Sequence, residues 1–299
     1  MNQKRLGFIG LGRMGFGMAS NLSKAAVPLV VYDVNPRPVQ TLVGKGAQMA
    51  ETPADLAGQV ELLFVCVPSE TEAEEVLFGD RGVSEGNQSL RVIDTTTMNH
   101  GAAVRLAMRS EHAGLSYSDC PISGLPFRAE DGTLTMMFGG SRDAFSEAKP
   151  YLDIMGEFVV HCGAVGMGQL MKAVNNIIYD VNIAAIAEVM PLAVRAGLEP
   201  GTLAEVLTTA SARSFASEYF VPRILEGRFE GDFSMRAAYK DIVNIREVAA
   251  RLQASLPVVE AMVSTYQAAI DMGFGDQPKS AMIKVYEERL NQEVRLIGE

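Results

Sequence analysis

A short apolar run, Leu6 to Ile9, stops at Gly10-Leu11-Gly12-Arg13-Met14-Gly15, and a helical pattern through Met18-Ala19-Ser20-Asn21-Leu22 follows at once. Three glycines at this spacing, between a strand and a helix, meet three separate needs. The first permits a tight turn, the second lets the backbone approach a pyrophosphate, and the third lets helix pack closely on strand. The N-terminus of the helix then offers N–H groups to the phosphates. A second apolar run, Leu29 to Tyr32, ends in Asp33, 21 residues beyond Gly12. A carboxylate there accepts both hydroxyls of an adenosine ribose and repels a 2′-phosphate, which predicts a dinucleotide site preferring NAD, with NADP possible. Arg37 reads as a solvated arginine in the first turn of the next helix.

The rest of the first half repeats the alternation of strand and helix. Strands are predicted at Leu6–Ile9, Leu29–Tyr32, Leu62–Val67, Val92–Ile93, Ser116–Asp119, Leu134–Phe138 and Phe158–Val160. Fully apolar runs such as Leu62-Leu63-Phe64-Val65-Cys66-Val67 suit a parallel sheet covered on both faces. After Gly163 the strand signal ends, and helices of period 3.6 are punctuated at Gly197–Pro200, Gly227–Gly231, Leu256-Pro257 and Gly273–Pro278. The expectation is an α/β fold: a Rossmann-type doubly wound parallel sheet over residues 1–163, and an all-α substrate and oligomerisation domain over 164–299. Residues 164–196 form the helix between them. A length of 299 residues fits two domains.

Thirty-six acidic against 26 basic residues, a net charge of −10, argue against nucleic acid or an anionic membrane as a partner. The most apolar stretch, near Ile178 to Ala196, contains Asp180, Glu188 and Arg195, so no membrane span is expected. Cys66, Cys120 and Cys162 are an odd, widely spaced set that reads as reduced thiols in a cytoplasmic protein. Val258, Val259, Met262 and Val263 within the segment Pro257–Ile270 offer apolar surface for a homodimer or homotetramer.

A nicotinamide-dependent reaction needs a group that moves a proton, and candidates can be eliminated. No tyrosine is followed four residues later by lysine, and His100, His112 and His161 are scattered, so no metal site is expected. The run Gly166-Met167-Gly168-Gln169-Leu170-Met171-Lys172-Ala173-Val174-Asn175-Asn176 sets Lys172 and Asn176 on one helix face, close to where the domains join. On the residues alone, a lysine lying along an amphipathic helix is an equal reading of Lys172.

Four segments together are more specific than any one. Gly7 to Gly15 with Met18 to Leu22, Asp119-Cys120-Pro121-Ile122-Ser123-Gly124 leading to Gly132 through Gly140, Gly166 to Asn176, and Lys240-Asp241 resemble the β-hydroxyacid dehydrogenase family of 3-hydroxyisobutyrate dehydrogenase type, in the family's order. The resemblance implies NAD(P)-dependent interconversion of a 3-hydroxy acid and its semialdehyde. It implies Lys172 as the catalytic lysine, Ser123 and Gly124 as the grip on the substrate carboxylate, and Asn176 as a substrate-positioning residue. Gly10, Leu11, Gly12, Met14, Gly15, Asp33, Val67, Pro68, Thr96 and Lys240 would contact the cofactor. In oxidation Lys172 must accept a proton, which favours a lysine made less basic by desolvation or by a cation such as Lys240.

The other readings weighed are an NADPH-dependent reductase of glyoxylate or succinic semialdehyde, and a silent dinucleotide-binding scaffold. The chain departs from the family pattern at Leu125-Pro126-Phe127, where a second glycine is usual after Ser-Gly. A Cβ at 125, a missing N–H at 126 and a ring at 127 predict a different pocket and a larger or more apolar substrate.

Overall fold

The computed structural model describes residues 5–231 and 233–296, with the side chains of Lys240, Asp241, Val243 and Asn244 also outside the description. Two compact units divide at Lys172/Ala173. The boundary expected from sequence, 163/164, lies nine residues earlier. The difference arises because the first turn of the long helix is bonded to the sheet unit, through contacts described below.

In the first unit nine strands form one sheet in the order β3-β2-β1-β4-β5-β6-β8-β7, with β9 pairing to β8. The strands are β1 Leu6–Ile9, β2 Leu29–Tyr32, β3 Gln48–Met49, β4 Leu62–Val65, β5 Arg91–Asp94, β6 Ser116–Asp119, β7 Ile122–Ser123, β8 Leu134–Gly139 and β9 Gly156–Gly163. From β3 through β6 every pairing is parallel, as the apolar runs predict. The chain then reverses: β8 is antiparallel to both β6 and β7, and β9 is parallel to β8.

The intervening helices are α1 Gly15–Lys24, α2 Pro36–Val43, α3 Pro53–Ala57, α4 Glu70–Phe78, α5 Val83–Gly86, α6 His100–His112, α7 Pro126–Asp131 and α8 Arg142–Met155. Alternate residues of each strand serve opposite faces. Phe8, Val31, Phe64 and Ile93 pack with Met18, Leu22, Leu152 and Met155 on one side. Ile9, Val30, Leu63 and Val92 pack with Leu56, Leu77, Ala103 and Leu106 on the other. Both faces are therefore dry, and the edges open for ligands lie beyond the carboxyl ends of the strands.

The helix α9 runs from Met167 to Arg195 without a break, three residues later at its start than the predicted 164. The second unit takes it from Ala173 and adds α10 Pro200–Thr209, α11 Phe215–Leu225, α12 Met235–Arg251, α13 Pro257–Ala269 and α14 Ile283–Leu290. Among the described residues α9 alone is long and apolar enough to span a membrane by length and composition. Its Asp180, however, is buried within the unit, paired with the Lys279 ammonium and accepting from the Tyr266 hydroxyl at 2.7 Å.

Candidate active site

The loop after β1 fits the dinucleotide it suggests. Gly10 has a φ of +91°, and a Cβ there would collide with the Cys66 carbonyl oxygen. Gly12 differs: it is exposed, and a Cβ there would meet nothing within 4 Å. The open side of the loop is thus bare backbone, as close approach of a pyrophosphate requires. Met14 caps α1 without a side-chain hydrogen bond, and no acidic residue stands in the first turn, so nothing anionic competes there for a phosphate. The Leu11 side chain is buried, and its N–H donates to Asp33 Oδ2 at 2.5 Å. Asp33 Oδ1 accepts from the Asn35 N–H at 2.6 Å. The acid at the end of β2 therefore fixes the glycine loop as well as its own turn. Arg37 is exposed, its N–H donating to Asn35 Oδ1 at 3.1 Å.

Beyond β4 and β5 the chain forms two facing loops. The Val67 N–H donates to Thr96 Oγ1 at 3.1 Å, and the Thr96 N–H donates to Asp94 Oδ1 at 2.8 Å. Pro68, next to Val67, is exposed. Asp94 Oδ2 accepts from the Tyr117 hydroxyl at 3.0 Å. Burial pushes the Asp94 carboxyl up to about 6, against the pull of its bonds to Thr96 and Tyr117. Cys66 is pushed up to about 11, chiefly by burial, with Lys172 close enough to oppose the shift. A thiol so weakly acidic is inert at neutral pH. Thr96 is only 1% exposed, whereas Thr97 is half-buried.

Lys172 ends the part of α9 that belongs to the first unit. Its Nζ donates to Thr97 Oγ1 at 2.6 Å and to the Ile122 carbonyl at 2.9 Å. Ile122 immediately precedes Ser123-Gly124, and Gly124 adopts a φ of +141° as the chain turns out of β7. The start of α9 is held by Asp119 at the end of β6. Its Oδ1 accepts from the Gly166 N–H at 2.6 Å and its Oδ2 from the Gln169 N–H at 2.8 Å. Burial pushes this carboxyl too up to about 6, although the two backbone N–H groups draw it down.

Two of the four sequence segments, those of Asp119–Gly124 and of Gly166–Lys172, thus meet at Lys172 and Ile122, and Thr97 joins them from a stretch outside all four. Asn176 belongs to the second unit, half-buried, with its Oδ1 accepting from Asn175 Nδ2 at 3.3 Å. Lys240 lies in α12 with its side chain outside the described residues. Among the described residues no group of three or more His, Cys, Asp or Glu side chains could hold a metal ion. Sequence reasoning gave no role to Asp94, Thr97, Asp119 or Gln169. The available signal was polar residues at strand ends and in an apolar helical run, which need partners when buried.

Residues 5–166 match the family model described as the NAD binding domain of 6-phosphogluconate dehydrogenase, and residues 166–286 match that of the NAD-binding of NADP-dependent 3-hydroxyisobutyrate dehydrogenase. The 2-(hydroxymethyl)glutarate dehydrogenase of Eubacterium barkeri is 33% identical over 286 residues, 95% of each chain. The mitochondrial 3-hydroxyisobutyrate dehydrogenase of Homo sapiens is 32% identical over 291 residues, covering 95% of this chain and 87% of the human one. The solved 3-hydroxyisobutyrate dehydrogenase of Mycobacterium tuberculosis with L-serine superposes with a TM-score of 0.84 at 25% identity, covering 94% of this chain and 98% of that one. Matched along nearly its whole length and carrying the glycine loop and the α9 lysine in one unit, the chain belongs to the β-hydroxyacid dehydrogenase family of 3-hydroxyisobutyrate dehydrogenase type, NAD(P)-dependent oxidoreductases of hydroxy acids.

Proposed function

We propose that this chain interconverts a small 3-hydroxy acid and its semialdehyde with NAD(H) as preferred cofactor and Lys172 as general acid and base. The observation that supports this reading best is the pair of hydrogen bonds that Lys172 Nζ donates to Thr97 Oγ1 and to the Ile122 carbonyl. It fixes the amine between the Asp94–Met98 segment and Ser123-Gly124. A substrate carboxylate held by the Ser123 hydroxyl and the turn N–H groups forms charge-assisted hydrogen bonds and leaves its β-carbon oxygen to face the amine. In reduction the ammonium at Nζ donates its proton to the nascent alkoxide; in oxidation the neutral amine accepts the hydroxyl proton. The nicotinamide supplies or takes up the hydride when bound. Gly10, Gly12 and Gly15 would border its pyrophosphate and Asp33 its adenosine ribose. Asn176 and Lys240 keep their proposed substrate and cofactor roles on the family motif.

Lys172→Ala should lower kcat by about 10² to 10⁴, with NADH binding, read by fluorescence titration, preserved. Retention of most turnover would show that another group moves the proton. The Asp33 carboxylate supports NAD over NADP, so a higher kcat/KM with NADPH than with NADH contradicts that preference. A cofactor-coupled absorbance screen of hydroxy acids and semialdehydes identifies the substrate.

A homo-oligomer is part of the same proposal. Of the four residues expected to offer apolar surface, Met262 and Val263 are core, 2% and 3% exposed, because they face inward from α13, and Val259 is half-buried; Val258, with Val174, Ile178, Val189, Leu192 and Leu252 of the same unit, is exposed apolar surface suited to a second copy of the chain. Light scattering behind gel filtration tests this; a monomer at micromolar concentration rejects it. Three free thiols suit a cytoplasmic, reducing location, which cell fractionation tests.

A further inference from the structure

Gln169 stands three residues before Lys172 in α9 and is 2% exposed. Its Nε2 donates to the Thr96 carbonyl at 2.7 Å, and its Oε1 accepts from the Met98 N–H at 3.2 Å. One amide thereby satisfies the backbone on both sides of Thr97. The hydroxyl of that same Thr97 accepts from Lys172 Nζ at 2.6 Å. Residues three apart lie on one helix face. A single face of α9 therefore carries both the amide that fixes the Thr97 backbone and the amine that meets the Thr97 side chain. The backbone of Gln169 is fixed in turn by Asp119 Oδ2 at 2.8 Å.

Filling space does not explain this arrangement. A leucine or methionine fills a buried helix position without bringing two hydrogen-bonding groups that must be satisfied. We propose that Gln169 is a positioning residue for Lys172, holding the main chain of residues 96 and 98 so that the Thr97 hydroxyl is set at the lysine amine. The inference rests on the reading of Lys172 as acid and base. A fixed hydroxyl acceptor favours the ammonium over the neutral amine and restricts the rotamers of a long side chain. Gln169 thus governs both the direction of the amine and the ease with which it gives up its proton.

The test compares Gln169→Met, Thr97→Val, the double variant and Thr97→Ser. Acetic anhydride labelling of Lys172 across pH, read by peptide mass spectrometry on protein without cofactor, reports the amine itself; steady-state kinetics report turnover. Gln169→Met and Thr97→Val should each shift the labelling midpoint to lower pH. Each should lower kcat about tenfold or more, with substrate KM changing less than kcat. The double variant should go no further than the stronger single, because both act through one hydrogen bond. Thr97→Ser, which keeps the hydroxyl, should stay near the parent.

A parent-like midpoint in Gln169→Met, or effects that multiply in the double variant, overturns the proposal. A loss of thermal stability with the midpoint unmoved also overturns it, since that marks a purely structural residue. Thr97 is half-buried, so its variants keep the test open if Gln169→Met fails to fold. Were Lys172→Ala to retain turnover, the acid and base reading would fall and this proposal with it. Labelling results against Gln169 alone leave that reading intact.

Discussion

Gly10 and Gly12 are two positions apart, yet a methyl group means different things at each. At Gly10 the φ of +91° and the Cys66 carbonyl both exclude a Cβ. Gly10→Ala should lose roughly 2–4 kcal/mol from backbone strain and collision together. At Gly12 the Cβ enters open space, and folding has no stake in its absence. Gly12→Ala should therefore melt like the parent while its NADH affinity falls about tenfold or more, since roughly 1.4 kcal/mol of lost contact is tenfold in Kd. Thermal melts with and without NADH separate the two cases. A Gly12→Ala protein with parental affinity would show that the dinucleotide does not approach the loop there.

At the scale of elements, α7 carries Pro126 and Phe127 of the Leu125-Pro126-Phe127 stretch from which a different pocket is expected. Pro126 starts the helix at a position where the missing N–H does no harm, and Gly132, at a φ of 72°, ends it. Asn21 Nδ2 ties the helix to α1 through the Ala129 carbonyl at 2.9 Å. This six-residue helix starts one residue beyond Gly124, after its half-buried N-cap Leu125, and its Phe127 is 57% exposed. On the proposed function these side chains border the substrate. Leu125→Gly with Phe127→Ala should lower the kcat/KM ratio of bulky over small 3-hydroxy acids by about tenfold, the value of a methylene or two in an apolar pocket. Best turnover of the smallest 3-hydroxy acid by the parent would sink the idea. Much of this level was legible in sequence. The strands β1, β2 and β6 have their predicted bounds, and for β1 and β2 the reason is that the apolar runs stop at Gly10 and Asp33. The two-residue strands β3 and β7 are too short to show a period, and the reversal at β8 leaves no local trace. The bond from Gly166 to Asp119 spans 47 residues and that from Gln169 to Thr96 spans 73, so no spacing rule reports them. Lys172 could be singled out as a candidate, but Thr97 and Gln169 beside it could not.

For the whole molecule, the balance of ionisable groups gives an uncommon response to acid. Most proteins lose stability on acidification because their paired carboxylates must be protonated. Here Glu72, Glu199 and Glu260 are held below their ordinary value of 4.5 by hydrogen bonds, and their contribution is lost as pH falls through those lowered values. Asp180, raised by burial against the pull of Lys279, acts oppositely, and so do Asp94 and Asp119. Burial raises both from 3.8 to about 6, so between those values the folded chain binds more protons than the unfolded one. Stability must then fall as pH rises through that window; the penalty is complete above the folded value and absent below the unfolded one. Two units correspond to about 3 kcal/mol per group at neutral pH. Going from pH 7.5 to 5.5 recovers on the order of 1 kcal/mol for each. The net charge of −10 also shrinks in that direction, relieving self-repulsion. The urea midpoint, followed by circular dichroism without cofactor, should therefore be higher at pH 5.5 than at pH 7.5. Asp119→Asn should show a smaller rise, because one of the carboxyls raised by burial is gone. A midpoint that falls on acidification across this window would mean that these two carboxylates are better solvated, or better bonded as anions, than their burial at the ends of β5 and β6 implies.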